Sequence, residues 1–223
     1  PGTIRIFYGQ EGGLPAATPD IEWEGQTSYE RFGGAVSVLG DIDQDGMNDL
    51  FLFASRDDTL GLDVGLPYLA WGGEELSLAP VDYPEEPAGD GFGVSVDIIE
   101  FPGDKLRLIV GAPRHNREAQ AKSGAVTIRP MDDGVLDPLD VTLIDSHPKT
   151  ANNKQFAYRV ASVGDFDGDG FPDMGVVGFA EDDPNNFPSS YECGPSCGAE
   201  AGTITCGANI GGVGTLYIYR GQA

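Results

Sequence analysis

Three phenylalanines give this chain a period: Phe32, Phe92 and Phe156 stand 60 and 64 residues apart, and each opens a strand-like run. A repeat of about 62 residues decides the architecture before local propensity does, because each unit must bury its apolar face against the next. A second apolar run reads Leu50-Phe51-Leu52-Phe53-Ala54-Ser55, then Leu106-Arg107-Leu108-Ile109-Val110-Gly111-Ala112-Pro113, then Met174-Gly175-Val176-Val177-Gly178-Phe179-Ala180. A third begins at a glycine and alternates with aromatic or β-branched residues, at 2–9, 65–72, 124–131 and 214–221. A fourth, more polar run closes the unit at 20–25, 77–83 and 140–145, as expected of an exposed edge strand.

Four short strands per unit, punctuated by glycine and aromatic residues, predict an all-β chain of β-propeller blades, each of four antiparallel strands. A helical solenoid would need a sustained 3.6-residue period, which is absent, and a sandwich of hairpins would not need the repeat. The units are residues 1–30 (the last two strands of a blade), 31–90, 91–150 and 151–223. That makes about three and a half blades, whereas closed propellers have roughly four to eight. The chain is therefore expected to be part of a larger ring, its remaining blades supplied by further sequence or by another chain.

Between the first and second runs of the outer two units lies a nine-residue stretch of the form D-x-D-x-D-G-x-x-D: Asp41-Ile42-Asp43-Gln44-Asp45-Gly46-Met47-Asn48-Asp49 and Asp165-Phe166-Asp167-Gly168-Asp169-Gly170-Phe171-Pro172-Asp173. Four carboxylates so close repel one another by roughly 1 to 4 kcal/mol per close pair, so a tight turn of this composition expects a cation. Oxygen-only ligands point to Ca2+, with alternate Asp residues converging on one ion and a glycine permitting the bend, as in the first half of an EF-hand loop. The second half excludes that motif, because the position of its bidentate Glu is Leu52 in one copy and Val176 in the other. Two Ca2+ loops between strands are expected. The middle unit has Asp97-Ile98-Ile99-Glu100-Phe101-Pro102-Gly103-Asp104, shorter and without the carboxylate triplet, and no metal is expected there.

A formal charge of -23, from 36 acids against 13 bases, argues against nucleic acid or an anionic membrane as partner. There is no apolar run of transmembrane length, so no membrane insertion is expected. The chain opens at Pro1 inside a strand-like run, without an initiating Met or a signal peptide, and is read as a processed or excised segment. Cys193, Cys197 and Cys206 cluster in one late stretch, which fits a local disulfide in an oxidising compartment with one thiol left over or paired elsewhere. Which two pair is open. No His lies near them to complete a zinc set.

With Phe-Gly at 32 and 92, the Asp-rich loops at 41 and 165, and Gly111-Ala112-Pro113, the chain resembles the FG-GAP repeats of the integrin alpha-subunit N-terminal β-propeller and its bacterial relatives, over nearly its whole length. The resemblance implies a seven-bladed ring in an extracellular or cell-surface setting. It also implies Ca2+ held by side chains at positions 1, 3, 5 and 9 of each loop and by the main-chain oxygen at position 7. Carried over, these are Asp41, Asp43, Asp45, Asp49 and the Met47 carbonyl, then Asp165, Asp167, Asp169, Asp173 and the Phe171 carbonyl. Three stretches depart from the pattern: Phe53-Ala54-Ser55 and Gly178-Phe179-Ala180 stand for Gly-Ala-Pro, and Phe156-Ala157 stands for Phe-Gly.

The last unit carries an insertion at 181–213, where the others cross the same gap in about 10 residues. Long loops in compact domains are commonly functional, and this one is the sequence's candidate recognition surface. Nucleophile, zincin and phosphate-loop motifs are absent, and the only histidines, His115 and His147, lie far apart in sequence. Acidic pairs such as Asp57-Asp58, Glu85-Glu86 and Asp132-Asp133 read as solvated turns, so no catalytic residue is assigned. The expected function is a non-enzymatic, calcium-binding extracellular propeller for adhesion, protein interaction or assembly, with a protein or glycan ligand at a surface. The alternative is an accessory or carbohydrate-binding propeller of a secreted hydrolase or lyase.

Overall fold

The structure is a computed structural model that describes residues 2–13, 15–57, 65–73, 77–81, 91–103, 105–115, 124–132, 135–136, 142–145, 156–179, 203–206 and 214–219. The described residues hold fifteen strands and no helix, so none is long and apolar enough to cross a membrane. Strand β1 (Thr3–Ile6) pairs antiparallel with β2 (Ile21–Glu24). Strands β3 (Ala35–Gly40), β4 (Asp49–Ala54), β5 (Leu66–Trp71) and β6 (Ser77–Pro80) form a four-stranded meander in chain order. The next sheet runs β7 (Ser95–Phe101), β8 (Lys105–Ala112) and β9 (Ala125–Asp132). The outer edge of β9 is shared by β10 (Val135–Leu136) and β11 (Thr142–Asp145). The last sheet contains β12 (Arg159–Gly164), β13 (Asp173–Phe179), β14 (Thr203–Cys206) and β15 (Gly214–Tyr219). These are antiparallel propeller blades as expected, two of them four-stranded, the middle one five-stranded because β10 and β11 share an edge, and the first represented by two strands.

The last sheet departs from the expected order. Its spatial sequence is β12-β13-β15-β14, so the outer strand comes from within the insertion and precedes the third strand, where β6 and β11 follow theirs. The stretch 181–213 is thus not all loop: Thr203–Cys206 takes an edge that β15 would otherwise leave open. Cys193, Cys197 and the remainder of the insertion lie outside the described residues.

Side-chain alternation explains why the second run is apolar throughout. Along β8, Leu108, Val110 and Ala112 join Phe51, Phe53, Leu69 and Phe92 in one core, while Ile109 points the other way and joins Val126, Phe156, Val160 and Val176 in a second. A strand buried on both faces cannot alternate with polar residues. The outer two blades lack that symmetry. On β3, Ser37 and Leu39 are buried towards the middle blade, but Val36 and Val38 are each 57% exposed on the opposite face. On β12, Val160 is buried towards the middle blade while Ala161 and Val163 are exposed.

The departures from the Phe-Gly and Gly-Ala-Pro motifs answer each other across blades. Phe53 occupies the position of Gly111, opposite Ala35 as Gly111 is opposite Ser95. Its ring fills the space above Gly93, where an added Cβ would lie 2.0 Å from a Phe53 ring carbon. At the next junction the sizes are reversed: Gly111 is the small partner, and Ala157 stands where Phe-Gly would place a glycine, with a Cβ on Gly111 falling 2.2 Å from the Ala157 carbonyl oxygen. The register also corrects the motif alignment in the last blade. Val177 lies opposite Arg159, so the counterparts of Gly111-Ala112-Pro113 are Val177-Gly178-Phe179, one residue before the stretch expected.

Two candidate metal centres

Both Asp-rich stretches are loops that leave a first strand and return as a second. Each is preceded by the same irregularity: the ladder slips between Val38 and Gly40 in one blade and between Ser162 and Gly164 in the other. Gly40 and Gly164 have φ of 79° and 67°, a conformation that turns the strand out into the loop at no steric cost to glycine. The loop's last acid is the first residue of the second strand and is fully buried in both cases, Asp49 and Asp173.

Each carboxylate has a defined place. Asp49 Oδ2 accepts from the Ile42 N–H at 2.9 Å, and its Oδ1 accepts from the Gly72 N–H at 2.8 Å, which ties the loop to the end of β5. Asp173 Oδ2 accepts from the Phe166 N–H at 2.7 Å. The first acid of each loop spans the bend, Asp41 Oδ2 accepting from the Gly46 N–H and Asp165 Oδ2 from the Gly170 N–H, both at 2.9 Å. One carboxylate oxygen from each of Asp41, Asp43 and Asp49 lies within 4.8 Å of the others, and the same holds for Asp165, Asp167 and Asp173. The acids at the fifth position stand outside these triplets. Asp45 Oδ1 accepts from the Met47 N–H at 2.8 Å and Asp169 Oδ1 from the Phe171 N–H at 2.9 Å.

Hard anionic oxygens gathered this closely fit a hard cation. The Asp43 carboxyl is held above its ordinary pKa, first by loss of surrounding water and then by Asp45, Asp49 and Asp41; the Asp45 N–H opposes the shift. A group whose negative form is disfavoured by its neighbours is one that a bound cation would relieve.

The middle blade uses its acid differently. There the β7–β8 ladder runs unbroken from Ser95 opposite Gly111 to Phe101 opposite Lys105, with only three residues of sequence between the two strands. Asp97 therefore lies inside a strand. Its Oδ1 accepts from the Ser37 hydroxyl at 2.7 Å and its Oδ2 from the Ser162 N–H at 2.9 Å, so one carboxylate joins the first strands of all three blades. This role was hidden in the sequence, since Ser37 and Ser162 are 60 and 65 residues away.

No protein-family model matches the chain. It is 32% identical over 150 residues, 64% of its length, to integrin alpha-IIb of Mus musculus, and 32% identical over 126 residues, 53% of its length, to integrin alpha-IIb of Homo sapiens. Over 50 residues, 22% of its length, it is 38% identical to integrin alpha-5 of Xenopus laevis. These matches span 14%, 12% and 5% of the relatives, respectively. In sequence and in its antiparallel four-stranded blades, the chain resembles part of an integrin alpha-subunit propeller.

Proposed function

We propose that this chain is a calcium-braced, non-enzymatic segment of an extracellular or cell-surface β-propeller that serves adhesion or protein–protein assembly, with two Ca2+ ions bound by the loops 41–49 and 165–173. The observation that carries the reading is the matched pair of carboxylate triplets, whose oxygens lie within 4.8 Å of one another in each loop. Oxygens around Ca2+ sit at about 2.3–2.6 Å from the ion, so three oxygens at that spacing fit one coordination shell. Asp41, Asp43 and Asp49 would hold one ion and Asp165, Asp167 and Asp173 the other. Asp45, Asp169 and the carbonyls of Met47 and Phe171 would complete the shells.

The metals then hold loops instead of performing chemistry. Asp49 links the first loop to β5 through the Gly72 N–H, so an ion bound there braces three strands of its blade. The exposed Val36 and Val38 on one outer blade and Ala161 and Val163 on the other support completion of the ring by further blades. Similarity to integrin alpha subunits favours a protein ligand. Calcium content is the test: the chain should bind two Ca2+, and Asp43→Ala and Asp167→Ala should each lose one. Two ions retained in both variants would overturn the assignment.

A further inference from the structure

At the ends of the strands away from the Asp loops, three arginines converge. Arg31 leads into β3, Arg56 follows β4 and Arg114 follows β8, and all three line one cleft of about 70 Å³ together with Ser55, Pro113 and Tyr158. The cleft lies where the three blades meet. Just outside the lining, the Arg159 guanidinium stacks 5.1 Å from the Tyr158 ring centroid and donates to the Val94 and Tyr158 carbonyls.

Charge makes this grouping informative. The chain has 36 acids and 13 bases, yet among the described residues no carboxylate forms an ion pair with Arg31, Arg56 or Arg114. The backbone supplies a separate indication. Arg31 has φ of 54°, and Gly91, which likewise immediately precedes the Phe of its repeat, has φ of 66°. A left-handed conformation disfavours every residue with a Cβ, so an arginine stands at a position whose backbone favours glycine. Strain of that kind clusters at binding and switch sites.

We propose that this cleft is an anchor site for a carboxylate side chain of an acidic segment in a partner protein. Guanidinium forks match carboxylates bidentately, and several of them in one cleft select an anion over a neutral group. The volume admits a few waters or one carboxylate with its first methylene, and falls well short of the roughly 300–1,000 Å³ of pockets for whole small molecules. An anchor from a larger chain fits, and a free metabolite does not. The proposal names the partner chemistry for the interaction role above, but its residues and its readout are separate from the calcium loops.

The probe is the capped peptide acetyl-Gly-Asp-Glu-Asp-Gly-amide, titrated into the calcium-loaded chain while the arginine Nε–H resonances are followed by NMR. Its Asn/Gln counterpart serves as the neutral control. The acidic peptide should shift the resonances of Arg31, Arg56 and Arg114, and the neutral one should not. Arg56→Gln combined with Arg114→Gln should weaken binding at least tenfold with calcium stoichiometry unchanged. Arg31→Gly should weaken it at least fivefold while melting no lower than the parent, because glycine suits that φ. Equal binding of the neutral peptide, or undiminished binding by the arginine variants, overturns the proposal. So does binding that emerges only after Glu85→Gln with Glu86→Gln, since the chain's own acids would then be the occupants.

Discussion

The reversed size match between blades gives a quantitative test at Gly93. Replacing it with Ala places a Cβ 2.0 Å from one Phe53 ring carbon and 2.2 Å from another, whereas non-bonded carbons settle at about 3.5–4.0 Å. The ring would have to retreat by roughly 1.5 Å, but it is completely buried and packs edge-on against Phe92 with centroids 5.4 Å apart. Overpacking of this kind costs about 1–3 kcal/mol. Gly93 also has φ of 78°, which adds about 1–2 kcal/mol for any residue with a Cβ. Gly93→Ala should therefore lose about 2–5 kcal/mol of the roughly 5–15 kcal/mol that holds a typical domain together. Phe53→Leu alone should cost roughly 1–2 kcal/mol as a core truncation. In the double variant the shorter side chain vacates the space that the new Cβ needs, so the overpacking disappears and only the backbone strain and the truncation remain. Urea unfolding of the four forms in calcium-containing buffer should give a coupling of about 1–3 kcal/mol favouring the double variant. Additivity to within about 0.5 kcal/mol would refute the claim that Phe53 is the large partner of Gly93.

Two further outcomes follow from the site geometry. At calcium tenfold above its dissociation constant each occupied loop contributes about 1.4 kcal/mol, so removing both ions with EDTA should lower Tm by about 6–12 °C, and an unchanged calorimetric midpoint would contradict calcium bracing. Asp97→Ala removes the acceptor for the Ser37 hydroxyl and the Ser162 N–H and should cost about 2–3 kcal/mol in urea unfolding while leaving calcium stoichiometry at two; a loss below about 0.5 kcal/mol would show that the three-blade clamp carries no stability.

The blades, and the strand order of all but the last, were readable because the signals are local and repeated: a phenylalanine, an alternating run, a turn, a second run. The acids at loop positions 1, 3 and 9 come together for the same reason, since one nine-residue bend delivers them all. What escaped sequence reading was whatever depends on two blades at once. Phe53 and Ala157 read as motif losses because their compensating partners, Gly93 and Gly111, are 40 and 46 residues distant. The alignment of Gly178 slipped by one because an apolar run carries no internal mark of register; that mark lies four residues after Asp173, where the ladder sets Val177 opposite Arg159. Strand β14 escaped because nothing in the sequence of Thr203–Cys206 sets it apart from the residues on either side.

The contrast between the middle blade and its neighbours gives the loops their physical meaning. In β3–β4 and β12–β13 five residues pair, and the ladder slips just before the acids; in β7–β8 seven residues pair without a slip. The two Asp-loop blades thus give up ladder rungs at the strand ends and send the chain through eight residues, 41–48 and 165–172, that carry mutually repelling carboxylates. Such a loop has little of its own to hold it: within it the acids are occupied by backbone N–H groups at the bend, and only Asp49 and Asp173 are buried. A bound cation would convert that repulsion into cross-links at the point where the rungs are missing. The middle blade keeps its rungs and has no such gap to close, which leaves Asp97 free to join the three first strands. With a cation bound, one acid-rich stretch of the repeat would serve two kinds of cohesion, within a blade where the ladder is interrupted and, through Asp97, between blades where it is whole.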